Sequence, residues 1–285
     1  MTDRLTVCVC TFRRPSVADT LRSIRAQALP AGIALRIVVA DNDDTPSARE
    51  TVAAADPGAT YLHAPARNIS VARNACLAAA GGGLVAFIDD DGIAAPGWLA
   101  ALMDCWRDTG ADAVFGPACA VYPPGTPDWM RQGDWHSNRP QRRGGTVETG
   151  HSCNVLLRWT PERFDPALGR SGGEDTDFFF RLHRAGWRFA ICDAAVVREP
   201  VDPRRLSLRW LVERRFAEGR HYGALAGHRP GRLPAALAKA GWCMLRSMTA
   251  AKSRWRLAFW ALRGVFHLGV AWGAVAGAAG RRAYG

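Results

Sequence analysis

An α/β domain built on a mostly parallel sheet flanked by helices, with a basic helical C-terminal extension, is the fold class this 285-residue sequence predicts. Three observations point to it. Continuous apolar runs rich in Val and Ile recur along residues 1–200, as strands buried on both faces require. Amphipathic or alanine-rich helical stretches alternate with them, which is the mark of crossover connections. The charge then divides: residues 1–200 carry 21 Lys and Arg against 23 Asp and Glu, whereas residues 201–285 carry 16 against 3.

The elements follow in order. LTVCVCT (5–11) is a short β-branched run, and Pro15 is placed to open a helix. In SVADTLRSIRAQ, Val17, Leu21 and Ile24 stand at helical spacing. LRIVVADN (35–42) reads as a buried strand ending in acids, TPSARETVAAA as a helix, and TYLHAP as a short strand. ISVARNACLAAAGG is an alanine-rich helix stopped by Gly81 to Gly83. LVAFI (84–88) is the next strand, Pro96 opens the helix PGWLAALMDCWRDTG, and ADAVFG returns as a strand. From 117 to 150 the rhythm is lost, and a loop of that length is expected to be a lid or acceptor-binding region. HSCNVLLRW reads as a strand, and GRSGGEDTDFFFRLHRAGWRFAIC as a glycine turn, a helix from about Glu174, and a strand. The pattern from 203 onward is helical.

Composition bounds the function. Apolar residues make up 48% and charged residues 22%, which excludes the disordered class. The eight cysteines show no CxxC pair and no zinc spacing, so buried free thiols in a reducing compartment are expected. The apolar stretch in MTDRLTVCVCTFRRP is too short for a signal peptide, and the expected location is cytoplasmic. The net charge of +11 belongs almost wholly to the C-terminal part and calls for an anionic partner.

Two clusters carry chemistry. Asp89, Asp90 and Asp91 directly follow a buried strand, and ligands of open α/β sheets sit beyond the carboxyl ends of strands. The triplet is either a solvated turn or a site for Mg²⁺ or Mn²⁺, which are held by one or two carboxylates plus substrate phosphates. Asp41 and the segment Thr11 to Arg14 fall at the same edge. In GGEDTDFFFRLHRAG (172–186), Glu174, Asp175 and Asp177 crowd a helix start. They serve either as ordinary dipole partners or to supply a general base.

TFRRP, VVADN, RNISVARNACLAAAGG, FIDDDG and GGEDTDFFFRLHRAG together resemble, in order and spacing, the inverting family 2 glycosyltransferases with the GT-A fold. The resemblance covers about residues 5–225 and is closest to bacterial exopolysaccharide enzymes of the succinoglycan type. It implies a nucleotide-sugar-binding fold and a metal-dependent transfer of one sugar from a nucleotide sugar, UDP-linked by the family's usual preference, to a hydroxyl of a lipid-linked or glycan acceptor. By position it implies that Thr11, Arg14, Asp41, Arg73 and Asp89 bind the nucleotide sugar. Asp89 and Asp91 match the DxD motif, with Asp91 binding Mn²⁺ or Mg²⁺. Asp175 matches the catalytic base, and Glu174 is expected to orient the acceptor.

The sequence departs from the family in two places. AAVVREPV has no His where many relatives carry a further metal ligand; Glu199 stands there either as a substitute or as a structural acid. The QxxRW signature of processive relatives is missing, so single additions are expected. Arg214, Arg215 and His221 either reach the diphosphate or form a solvated basic face. Asn154 either positions substrate or makes a structural hydrogen bond, Trp129 and Trp135 either stack on sugars or pack, and the lone His136 and His151 are not assigned a role.

The expected division is a catalytic domain over 1–225 and a basic, membrane-associating helical tail over 226–285. For residues 254–282, interrupted by Arg263 and His267, three placements stay open: in the plane of the membrane, spanning it, or packed on the domain. The first agrees with a peripheral protein at the inner face of the cell membrane, and no groove-binding or stacking motif supports a nucleic-acid partner. Two rival functions remain. A sugar-phosphate nucleotidylyltransferase would want a glycine-rich loop after the first strand, and TFRRPSVADT has no glycine. A catalytically idle, nucleotide-binding assembly subunit is opposed by the intact Asp89, Asp91 and Asp175.

Overall fold

The computed structural model describes residues 3–30, 32–142, 144–225, 231–250 and 252–282. The expected domain boundary at 225/226 abuts residues 226–230, outside the described residues. In chain order the elements are β1 (Asp3–Thr11), α1 (Val17–Arg25), β2 (Ile33–Asp41), α2 (Arg49–Ala55), β3 (Thr60–His63), α3 (Ile69–Ala80), β4 (Leu84–Asp89), β5 (Ile93–Ala94), α4 (Trp98–Thr109), β6 (Ala113–Phe115), β7 (Ala118–Val121) and α5 (Asp128–Gly133). There follow β8 (Asn154–Arg158), α6 (Glu174–Arg184), β9 (Phe189–Ile191), β10 (Val197–Pro200), a 3₁₀ turn (Pro203–Arg205), α7 (Leu208–Leu225), α8 (Arg232–Thr249) and α9 (Arg254–Arg282). Met1–Val121 with Ser137–Pro200 form one compact unit, and Tyr122–His136 with Val201–Gly285 form a second.

The first unit is of the expected α/β class. Its main sheet has the order β3-β2-β1-β4-β8-β6-β9; β8 runs antiparallel to β4 and β6, and the other pairs are parallel. A small second sheet has the order β5-β10-β7. Alternation along the strands feeds two cores. Leu5, Val7, Val9, Ile37, Val39, Ala86 and Ile88 meet Leu21 and Ile24 of α1 and Trp98 and Leu102 of α4 on one face. Cys8, Val38, Ala40, Val85 and Phe87 meet Cys76 and Leu77 of α3 and Phe178 and Phe179 of α6 on the other. Burial on both faces is why these strands read as unbroken apolar runs. Register levels their ends, with Thr11 opposite Asp41 and Cys10 opposite Asp89.

The expected loop over 117–150 differs from the structure. It contains β7, which pairs parallel with β10, and α5, which packs on α9. Both are too short to show a period of their own, and each depends on a distant partner. The eight cysteines are free, as expected.

The second unit is helical. α9 packs against both α7 and α8. The α7 contact is close enough to exclude side chains at four glycines. A Cβ on Gly219 or Gly223 would lie 2.0 or 2.3 Å from the carbonyl oxygens of Phe266 and Val270; one on Gly269 or Gly273 would lie 2.3 or 2.0 Å from those of Phe216 and Arg220. Each helix thus presents a Gly-x-x-x-Gly face to the other. Met130, Trp135, Leu211, Ala258 and Leu262 form a satellite core, with Trp129 packed against it. α9 is long and apolar enough to cross a membrane by length and composition, but 44% of its apolar window is buried inside the protein.

Candidate active site

The loops after β1, β2 and β3 are braced by arginine–carboxylate pairs. Arg13 grips Asp43 through Nε and Nη2, both at 2.8 Å, and Arg67 pairs with Asp44. Both arginines hold left-handed backbone, at φ 54° and 45°. Such a conformation is uncommon outside glycine and persists where surrounding contacts hold it. Asp41, at the tip of β2, is fully buried and accepts from the amides of Asp43 (3.0 Å) and Ala48 (2.8 Å) and from the Tyr61 hydroxyl (2.6 Å). It fixes the loop into α2, and burial with this hydrogen bond drives the Tyr61 phenol well above its usual range.

The acid triplet is divided among three jobs. Asp90 is buried, accepts from the Phe12 amide at 3.4 Å and lies beside the buried Thr11 hydroxyl. Arg14 bridges Asp90 at 2.9 Å and Asp91 at 2.6 Å through one Nη atom. Asp89 reaches furthest toward solvent, its side chain 42% exposed, with Arg73 Nη2 at 3.9 Å. Partial burial at the strand end, with the charges of Asp91, Asp90 and Asp175, raises the Asp89 carboxyl above its usual range, while Arg73 opposes the rise.

α3 carries the opposite wall. Asn68 caps the helix by accepting from the Ser70 amide at 3.1 Å, a device worth about 1 kcal/mol. Its amide group also donates to the Pro166 carbonyl at 2.8 Å. Six residues on, the Asn74 side chain donates to the Phe164 carbonyl (2.9 Å) and accepts from the Phe164 amide (2.8 Å). The segment 164–172 is thereby tied to α3 just before Gly172 and Gly173, whose φ of 85° and 90° turn the chain into α6. Arg73, buried between these anchors, donates to Glu174 Oε1 at 2.5 Å and lies over the Phe164 ring at 5.4 Å. Burial alone would lower its pKa; Glu174, Asp89 and Asp175 more than offset that and keep the guanidinium charged.

Asp175 Oδ1 accepts from the Thr176 amide at 2.7 Å, and Oδ2 faces His151 Nδ1 at 3.5 Å. Burial would raise this carboxyl, but His151, Arg73 and the Thr176 amide hold it well below the usual carboxylate range. The buried Cys153 thiol is pushed far up by desolvation and by the charges of Glu199, Asp89 and Asp175, so Glu199 shares this neighbourhood.

The donor set has a definite chemical character. Among the described residues no group of three or more His, Cys, Asp or Glu side chains is placed to hold a metal ion. Asp89, crowded by like charge and only partly offset by Arg73, and Asp91, shared with Arg14, fit a hard cation whose shell is completed by phosphate oxygens. They do not fit an all-protein cage.

The structure thus gathers Asp89, Arg73, Glu174 and Asp175 into one cluster, with Arg14, Asp91 and Thr11 beside it and Asp41 buried behind the β2 loop. Asn68 and Asn74 were not singled out from sequence, and His151 was given no role; an asparagine at the helix start with a second six residues on was the signal available. Asn154 is structural, accepting from Trp98 Nε1 at 2.8 Å and donating to the Pro117 and Ala195 carbonyls at 2.9 and 2.7 Å. In the second unit, Arg214 and Arg215 both pair with Glu218 at 2.8 Å, His136 stacks on Trp210, and Trp135 is buried in the satellite core.

Known proteins resemble this chain in sequence and in fold. Residues 6–161 match the family described as Glycosyl transferase family 2. Succinoglycan biosynthesis protein ExoM of Rhizobium meliloti (strain 1021) is 44% identical over 277 residues, covering 92% of this chain and 90% of that protein. Among solved structures, the fold is similar to mannosyltransferase PcManGT from Pyrobaculum calidifontis in complex with GDP-Man and Mn²⁺. The TM-score is 0.63 at 19% identity, over 96% of this chain and 88% of that one. It is also similar to S. aureus TarS 1-349 in complex with UDP, with a TM-score of 0.50 at 16% identity over 93% and 92% of the two chains. At these identities the structural likeness is one of fold.

Proposed function

This chain belongs to glycosyl transferase family 2, and as a glycosyltransferase of that family we propose that it moves one sugar from a UDP-sugar to a hydroxyl of a lipid-linked or glycan acceptor. The transfer inverts the anomeric centre and serves assembly of an exopolysaccharide of the succinoglycan kind. The name of its 44% identical relative supports the pathway class. The nucleotide-sugar and Mn²⁺ in the PcManGT complex, and UDP in the TarS complex, support the donor and cofactor classes.

The observation that carries this reading is the buried Arg73, paired with Glu174 and facing Asp89 and Asp175 at the carboxyl end of β4. The departing diphosphate needs positive charge, and the acceptor hydroxyl needs a base. Arg73 supplies the first and Asp175 the second. Glu174 acts by fixing Arg73, and Asp41 holds the β2 loop that borders the nucleoside, with Thr11 and Arg14 on the adjacent β1 loop. Asp175 takes the proton of the acceptor hydroxyl. The oxygen attacks the anomeric carbon from the face opposite the nucleotide, and the nucleoside diphosphate leaves. Mn²⁺ or Mg²⁺, held by Asp89 and Asp91 together with diphosphate oxygens, would supply charge neutralisation to the leaving group. The protein works at the cytoplasmic face of the cell membrane, where a lipid-linked acceptor presents its sugar.

The test is release of nucleoside diphosphate from a panel of nucleotide sugars by the purified chain, with Mn²⁺, Mg²⁺ or EDTA present. Turnover of one donor in a metal-dependent manner is expected. Undiminished turnover in EDTA removes the cation from the scheme, and no turnover of any donor removes the transfer.

A further inference from the structure

Among the described residues, α8 carries six exposed large apolar side chains and the longer α9 four, Leu257, Leu268, Trp272 and Val275. α8 buries one narrow stripe, Ala236, Ala240 and Cys243. At about 100° per residue, Leu233, Leu237, Trp242, Met244, Leu245 and Met248 share an arc of about 180° that holds no charged residue. All six are exposed, Trp242 by 57%, Leu245 by 55% and Met248 by 75%. Lys239 and Arg246 fall on the remaining arc, and the Arg246 guanidinium lies 5.9 Å from the Trp242 ring. A helix that faced only water would carry its polar residues where α8 carries these.

The surrounding charge selects the occupant. Residues 219–285 contain 11 Lys and Arg and no Asp or Glu. A second copy of this face would bring like charges together with no acid to pair them. A polyanion without hydrocarbon would leave the apolar arc uncovered. An anionic lipid surface satisfies both features, with the arc in the acyl boundary and the basic side chains at the headgroups.

We propose that α8 is the membrane-docking element of this protein. It lies in the plane of an anionic bilayer with Leu237, Trp242, Leu245 and Met248 inserted, and α9 serves as its backing helix rather than as a span. The inference deepens the reading of a membrane-borne acceptor and rests on it for its purpose, but its physical test is independent of turnover.

The full chain is mixed with vesicles of phosphatidylcholine alone or with phosphatidylglycerol added, and bound protein is measured by co-sedimentation. Wild type is expected to bind the anionic vesicles preferentially. Leu237→Gln, Leu245→Gln and Met248→Gln combined should cut binding about tenfold or more, while Val121→Gln in the first unit, also exposed, should not. Lys239→Glu with Arg246→Glu should abolish the preference for phosphatidylglycerol. Brominated lipids should quench tryptophan emission of the wild type, and part of that quenching should vanish in Trp242→Phe, a readout that needs no destabilising change. Wild type that ignores vesicles, a triple variant that binds like wild type, or a dimer dispersed by the triple variant without vesicle binding overturns the proposal. Vesicle binding by a chain that turns over no donor would instead sink the proposed reaction and leave the docking surface standing.

Discussion

Nδ1 of His151 stands 3.5 Å from Oδ2 of Asp175, on the oxygen that the Thr176 amide does not hold. The contact helps keep the Asp175 carboxyl well below its usual range, against the burial that would raise it. A base tuned in this way stays ionised into acid. His151→Ala should therefore move the acid limb of the kcat/KM profile to higher pH, with a smaller change in donor KM. The stability sign follows from the same depression. The contact contributes above the ordinary carboxylate pKa near 3.8 and is lost as pH falls through the lowered value. The stability gap between wild type and His151→Ala should thus narrow as the Asp175 carboxyl protonates and close in strong acid. An unmoved acid limb would separate His151 from the base.

Asp175→Asn keeps the side chain's size and can still accept from the Thr176 amide, but it cannot take a proton. Loss of a positioned general base lowers rate by about 10²–10⁴-fold. The variant should lose transfer by at least that much while binding nucleoside diphosphate within about threefold of wild type by titration calorimetry. Near-normal turnover would remove Asp175 from its role, and loss of binding along with turnover would mark it as a scaffold residue.

Arg73 and Glu174 are both buried and bonded at 2.5 Å. Removing one partner leaves the other as an uncompensated buried charge, at a cost of about 3–5 kcal/mol. Arg73→Met should therefore lower stability strongly in denaturant titration. The double variant Arg73→Met with Glu174→Gln should recover part of that loss, with a coupling energy of about 1–3 kcal/mol. Strict additivity would show that the pair is not a unit. Arg73→Lys should fold but transfer poorly, because an ammonium cannot span Glu174 and the substrate as a planar fork does.

These residues also show how far the chain was readable beforehand. The β1, β2 and β4 tips were legible because strands buried on both faces appear as apolar runs, and an acid at the end of such a run is conspicuous. Gly172 and Gly173 announced the turn into α6 because little else adopts their backbone. His151 was passed over because its partner lies 24 positions away, across a stretch with no period. The direction of β8 was hidden for a similar reason, since it depends on how residues 117–150 return the chain. Asp41 reads as a ligand-facing acid, yet Tyr61, Asp43 and Ala48 enclose it, and no local pattern encodes that. The placement of α9 needed the matching glycines of α7, which become meaningful only when the two helices are seen to touch.

Those glycines also set the sign of alanine substitutions in the helical unit. Gly is a poor helix former, costing up to about 1 kcal/mol relative to Ala in an exposed interior. Gly241 on α8 has open space where a Cβ would go. Gly241→Ala should accordingly stabilise the helical unit by about 0.5–1 kcal/mol. Gly219 and Gly273 face backbone carbonyls at 2.0 Å from the same ideal position, and no side chain can rotate away to make room. Alanine at either should force α7 and α9 apart, costing about 1–3 kcal/mol of overpacking that outweighs the helix-propensity gain. Denaturant titration followed by the far-ultraviolet helical signal should separate the two cases by sign. The same sign at Gly219 and Gly241 would mean that the α7–α9 contact is looser than the structure places it.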